Sequence, residues 1–154
     1  MTRKCAREIA LGCIFECFSR REAPDVILDE RFAPGAIPGL ADEAAAYRNE
    51  VTKADEGYIR AVVMAASMNA EKYFAAVDEL SKSWASDRIA RMTRAILCLA
   101  LAEIEYISDV PASVAVNEAV ELAKVYDTEK APSYINGILG EYLRRQPSPE
   151  AAEK

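Results

Sequence analysis

Apolar residues recur along this chain at intervals of three and four, with no convincing alternation, so the pattern predicts helices throughout and no strand. Residues 3–20 carry a wide apolar face of Ala6, Ile9, Ala10, Cys13, Ile14, Cys17 and Phe18, with Phe15 off the main stripe. The period is lost over 21–57, where Pro24, Pro34-Gly35 and Pro38-Gly39 predict a loop with a short helix near 26–32 and another through 40–50. It returns after Asp55 with Tyr58, Ile59, Val62, Val63 and Ala66, breaks at Met68-Asn69, and resumes over 70–81 through Phe74, Val77 and Leu80. Trp84 closes that helix as a core residue. A long helix is expected over 87–107, with Asp87 as its cap and Ile89, Met92, Ile96, Leu99, Ala100 and Ile104 facing inward.

The last third reads as a helix, a short break and a second helix. Val116, Ala119, Val120 and Ala123 share one face of the first, and Pro111 suits its opening turn, where a missing N–H costs nothing. Ser113 is an alternative cap. Ser133 is the expected N-cap of the second helix, whose apolar face is Ile135, Ile138, Leu139, Tyr142 and Leu143. Gly137 stands one turn inside a helix, at a cost of about 1 kcal/mol relative to Ala, which predicts a close backbone approach. Asn117 and Asn136 lie near apolar faces, and buried amides there would need interhelical partners. After Leu143 the two prolines of Gln-Pro-Ser-Pro stop the helix, so one domain is expected over 1–145 and a disordered tail over 146–154.

Charge changes this picture more than composition does. A chain of 154 residues with 51% hydrophobic and 29% charged side chains is one soluble domain's worth, and no apolar run approaches a membrane span, so a cytoplasmic location is expected. The net charge of −6 argues against a nucleic-acid partner until its distribution is read. Residues 1–21 hold five basic and two acidic side chains and residues 58–98 six and four, whereas 22–57 hold three and nine and 99–154 five and ten. Arg3, Lys4 and Arg7 therefore form a candidate phosphate-contacting patch, with Phe15 nearby as a surface on which a base could stack. Arg88, Arg91 and Arg94 lie about one turn apart and make a second basic stripe. The competing reading of both is ordinary solvated surface charge.

Chemistry of other kinds finds little support. The chain has no histidine, which removes the commonest general base near neutral pH and every Ser–His or Cys–His nucleophile pair. Cys5, Cys13, Cys17 and Cys98 contain no Cys-x-x-Cys pair, so neither a disulfide framework nor a structural metal is expected, and no cofactor.

Val-Ala-Val-Asn-Glu-Ala-Val-Glu-Leu-Ala-Lys (114–124) followed by Tyr-Ile-Asn-Gly-Ile-Leu (134–139) resembles the C-terminal signature of the NusB transcription antitermination factors. The Arg3-Lys4-Cys5-Ala6-Arg7-Glu8 start resembles that family's basic opening, and the likeness runs from Arg3 to about Leu143, weakest over 21–57. It implies an all-α fold of about seven helices in two packed helical subdomains. It also implies a function: binding the single-stranded boxA element of nascent ribosomal RNA with ribosomal protein S10, joining the elongation complex and suppressing premature termination. On that resemblance Arg3, Lys4, Arg7 and Arg94 would meet phosphates, Phe15 and Tyr134 would stack under bases, and Asn136 would read a base edge. Tyr134 stands where the family usually has phenylalanine. Glu103 is the candidate contact for S10.

The chain departs from the family at other positions too: Ala65 stands where a glycine is usual, Cys98 where an arginine is usual, and Ala102 where a tyrosine is usual, the last two bearing on binding. With the net acidity, these departures support an alternative, a NusB-like module that binds S10 and has lost RNA. A ribosomal RNA methyltransferase, to which the same helical domain is fused elsewhere, would need a separate cofactor domain with a glycine-rich loop. The six glycines here form no such pattern. Monomer and homodimer are both open at this stage, and the acidic 21–57 stretch, longer than the family minimum, has no assigned role.

Overall fold

A computed structural model describes residues 1–83 and 89–146, all helix and connecting loop with no strand among them. The helices are α1 (Arg3–Arg20), α2 (Pro24–Arg31), α3 (Ala36–Gly39), α4 (Lys53–Met68), α5 (Ala70–Leu80), α6 (Arg91–Tyr106), α7 (Ala112–Tyr126) and α8 (Ala131–Arg145). Two 3-10 turns, Ala45–Arg48 and Ser81–Ser83, complete the described elements. Helices α1, α2 and α4 pack together as one group, α5 to α8 as the other, and α6 joins them by packing on both α1 and α4. A single buried cluster runs through both groups, with Ile9, Ile14, Ile59, Ile96, Leu97, Ile135 and Leu139 almost wholly enclosed.

Local chemistry explains the boundaries. The Thr2 side chain accepts the Cys5 N–H at 3.1 Å and opens α1, which ends where Arg21 turns into the left-handed region at φ 55°. Thr52 and Asp55 form a reciprocal capping box at the start of α4. Pro111 stands at the N-cap of α7, one residue earlier than expected. Helix α8 begins at Ala131 with Pro132 in its first turn, so Ser133 lies inside the helix and is not its cap.

The 21–57 stretch is more ordered than its prolines suggested. Its first helix, α2, is present; the second, expected through 40–50, is reduced to the turn at Ala45–Arg48, with α3 ahead of it. Tertiary contacts hold it: Arg31 pairs with Glu16 of α1 and donates to the Tyr47 hydroxyl. That hydroxyl lies where a Cβ on Gly12 would meet it at 3.1 Å, so Tyr47 packs closely on α1 there. Trp84, Asp87, Arg88 and the 147–154 tail lie outside the described residues. Among the described residues no helix is long and apolar enough to cross a membrane.

Candidate nucleic-acid interface

The first predicted patch divides over α1. Arg3 is exposed, bonds Asp109 at 3.2 Å and lies 4.2 Å from the centroid of the Tyr58 ring. Lys4 is exposed on another face of the helix, in line with Glu8 one turn on and with Phe15 two turns further. Arg7 is not a surface group. It is 3% exposed, and its guanidinium makes two parallel bonds to Glu103 at 2.7 and 2.9 Å, with Glu118 at 3.5 Å. Burial alone would pull the Arg7 pKa down, but the Glu103 bonds more than offset it and the net shift is upward.

That geometry corrects two expectations at once. Arg7 was expected to face phosphate and Glu103 a protein partner, yet each neutralises the other inside the core, with Glu103 1% exposed. A buried charge is tolerated only when paired, and this pair ties α1 to α6. Asn117 and Asn136 are corrected in the opposite sense: both are exposed, not buried amides bridging helices.

The second patch gains members. Arg94 is half-buried, 3.5 Å from Asp78, with its guanidinium 5.0 Å from the Phe74 centroid. Phe74 in turn meets Phe18 edge to face at 5.3 Å. Around them opens a cleft of about 750 Å³ whose walls include Arg21, Arg91 and Arg94 above Phe18, Phe74 and Ile89. Arg21 was missed in the sequence, where it falls one residue past the helix expected over 3–20. Packing of α1 against α6 is what brings it to Arg91.

Tyr134 belongs to the same neighbourhood. Its hydroxyl is 2.5 Å from the Ser81 Oγ, and Ser81 follows Asp78 by three residues, so Arg94 and Tyr134 both meet the C-terminal end of α5. The predicted residues thus form two groups at opposite ends of α1, whose 18 residues rise about 27 Å. Arg3 and Lys4 stand at one end, and Arg94 and Tyr134 at the other, with Phe15 between. The four cysteines are free thiols, and no cluster of metal-ligating side chains occurs among the described residues.

Comparison with known proteins gives this surface its setting. A relative from Alkaliphilus oremlandii, named transcription antitermination protein NusB, is 34% identical over 146 residues, covering 95% of this chain and 96% of its own. One of the same name from Desulforamulus reducens is 35% identical over 143 residues, 93% of this chain and 90% of its own. Among solved structures, T. maritima NusB superposes with a TM-score of 0.76 at 24% identity, covering 100% of this chain and 99% of that one. A structure of antitermination factors NusB and NusE with double-stranded RNA superposes at 0.71 and 22% identity, covering 94% and 97%. At these identities the superpositions speak for the fold. The NusB family model matches residues 4–144, and the chain therefore belongs to the NusB family.

Proposed function

We propose that the chain is a cytoplasmic transcription antitermination factor that holds single-stranded RNA of the boxA kind from nascent ribosomal transcripts. It does so together with ribosomal protein S10, and joins the elongation complex to suppress premature termination. The observation that carries this reading is the cleft of Arg21, Arg91 and Arg94 over Phe18 and Phe74. Single-stranded RNA is held by cations on phosphates and by aromatic or guanidinium planes under unstacked bases, and the cleft offers both. Exposed Asn136, two residues from Tyr134, adds an amide able to read a base edge, and Arg3 and Lys4 supply cations at the far end of α1. The solved relative assembled with NusE and double-stranded RNA supports an RNA and protein partnership for this chain also. Its binding work is done by side-chain charge and stacking.

The test is a titration of labelled boxA-like single-stranded RNA, with and without purified S10, at two salt concentrations. Binding should tighten with S10 and weaken with salt. Arg91→Ala should flatten the log–log salt slope by about 0.7, the value for one phosphate contact on a single strand. Salt-independent binding, or none, would overturn the reading.

A further inference from the structure

We infer that a small slot midway along α1 takes one unstacked cytosine of the bound RNA. The inference rests on the RNA-binding reading above and adds a base-specific subsite to it. The slot has a volume of about 130 Å³ and is walled by the rings of Phe15, Tyr47 and Tyr126, with Leu11 and Gly12 beneath and Glu8 beside them.

Its size selects the ligand. An apolar cavity of about 150 Å³ accepts one benzene ring, so this slot fits a single six-membered ring and not a purine. Its walls are what an unstacked base needs, because every base presents a π face to an aromatic ring. Its one charged group then selects among pyrimidines. The Glu8 carboxylate accepts the Tyr126 hydroxyl at 3.1 Å and keeps a further oxygen, an acceptor matched to the exocyclic N4 amine of cytosine and mismatched to the O4 of uracil. Lys4, one turn before Glu8 on the same face of α1, is placed for the phosphate of that nucleotide.

The slot is assembled by the acidic stretch that the sequence left without a role. Gly12, lacking a side chain, leaves room for the Tyr47 hydroxyl against the helix. Arg31 fixes that ring from behind, donating to the hydroxyl, stacking 5.6 Å from the ring centroid and pairing with Glu16 of α1. The wall is thus held in place before any ligand arrives, which lowers the ordering cost of binding.

The experiment is a scan of boxA-like RNAs in which each cytosine in turn is replaced by uracil or by an abasic site. Wild type, Tyr126→Ala and Glu8→Gln are compared, with circular dichroism and melting as the check on folding. One cytosine should stand out, its abasic replacement costing about 5- to 150-fold in affinity, the range for a single stacked base. Tyr126→Ala should weaken the intact RNA and make that position insensitive. Glu8→Gln should erase the cytosine-over-uracil preference there and leave the salt slope unchanged. A flat scan with wild-type protein that still binds RNA would overturn the slot and leave the RNA reading standing. Absence of wild-type RNA binding would overturn both. Tyr126→Ala that keeps RNA affinity but loses the tightening by S10 would assign the slot to a protein side chain and overturn the cytosine.

Discussion

Removing either partner of the Arg7–Glu103 pair should unfold the protein more readily, not merely weaken its binding. The two side chains are 4% and 1% exposed and share two bonds, so a lone survivor would be a charge held away from water. Breaking such a pair costs about 3–5 kcal/mol. Arg7→Met should fall at the upper end, because it leaves Glu103 without a cation. Glu103→Gln should fall at the lower end, because Glu118 at 3.5 Å still faces Arg7. At about 2–4 °C per kcal/mol for a chain of this size, the melting midpoint should drop by about 6–20 °C. The double variant Arg7→Met/Glu103→Leu fills the same space without charge and should recover most of the loss. Urea titrations compare wild type with these three variants, and an RNA titration of Arg7→Met at two salt concentrations runs beside them. An unchanged urea midpoint with a salt slope flattened by about 0.7 would refute the reasoning and return Arg7 to the RNA surface.

Three further outcomes follow from the same packing. Burial pushes the Cys13 thiol up to about 11 and Cys98 up to about 12, raises Cys17 as well, and leaves Cys5 half-exposed; an Ellman titration of the native protein should count one fast thiol, and three more only in denaturant. Thr52→Ala should cost about 1 kcal/mol through the lost cap. Burial raises the Asp55 carboxyl, but bonds from Thr52 and the N-terminal ammonium at 3.2 Å more than offset it, so its folded pKa is lowered; that stabilisation is present above the usual carboxylate range and lost as pH falls through the lowered folded value, and the wild-type urea midpoint should fall at about pH 3.5. Gly12→Leu should drive the Tyr47 ring off α1 and cost about 1–3 kcal/mol by overpacking, read as a lower melting midpoint.

The helices were legible wherever apolar spacing ran unbroken, and α1 keeps its expected limits of 3 and 20. The 21–57 stretch was less so, because its order comes from contacts such as Arg31 with Glu16 and Tyr47 with Gly12, which spacing within the segment does not encode. The Arg7–Glu103 pair did leave a trace. Arg7 precedes Ala10 and Ile14 by three and seven residues, and Glu103 follows Ile96 and Leu99 by seven and four. Both charges therefore sit on apolar stripes, and opposite charges on two such stripes point to a buried pair. Basic spacing at Arg3 and Arg7 drew the reading outward instead. The cleft was half legible: Arg91 and Arg94 lie on the expected stripe, but Arg21 joins them only through the crossing of α1 and α6.

The two departures that bear on binding take a different meaning once placed. Cys98 and Ala102 are both 0% exposed, one turn apart on α6, so in this chain both positions face the core. Support for a module without RNA binding then falls back on net charge. The cleft arginines come from the two net-positive segments, which fold together while the acidic segments lie elsewhere in sequence. Restoring the familial residue makes this testable. Cys98→Arg would place a guanidinium where the surroundings push a thiol up to about 12, with Arg94 the charge acting on that position. An unpaired buried cation of that kind costs several kcal/mol, on the order of 3–5 by analogy with a broken buried pair, so the variant should show a much lower urea midpoint and no gain in RNA affinity. A variant that folds like wild type and binds RNA more tightly, with a steeper salt slope, would show that position 98 reaches the surface. The loss of that arginine would then have cost this chain a phosphate contact.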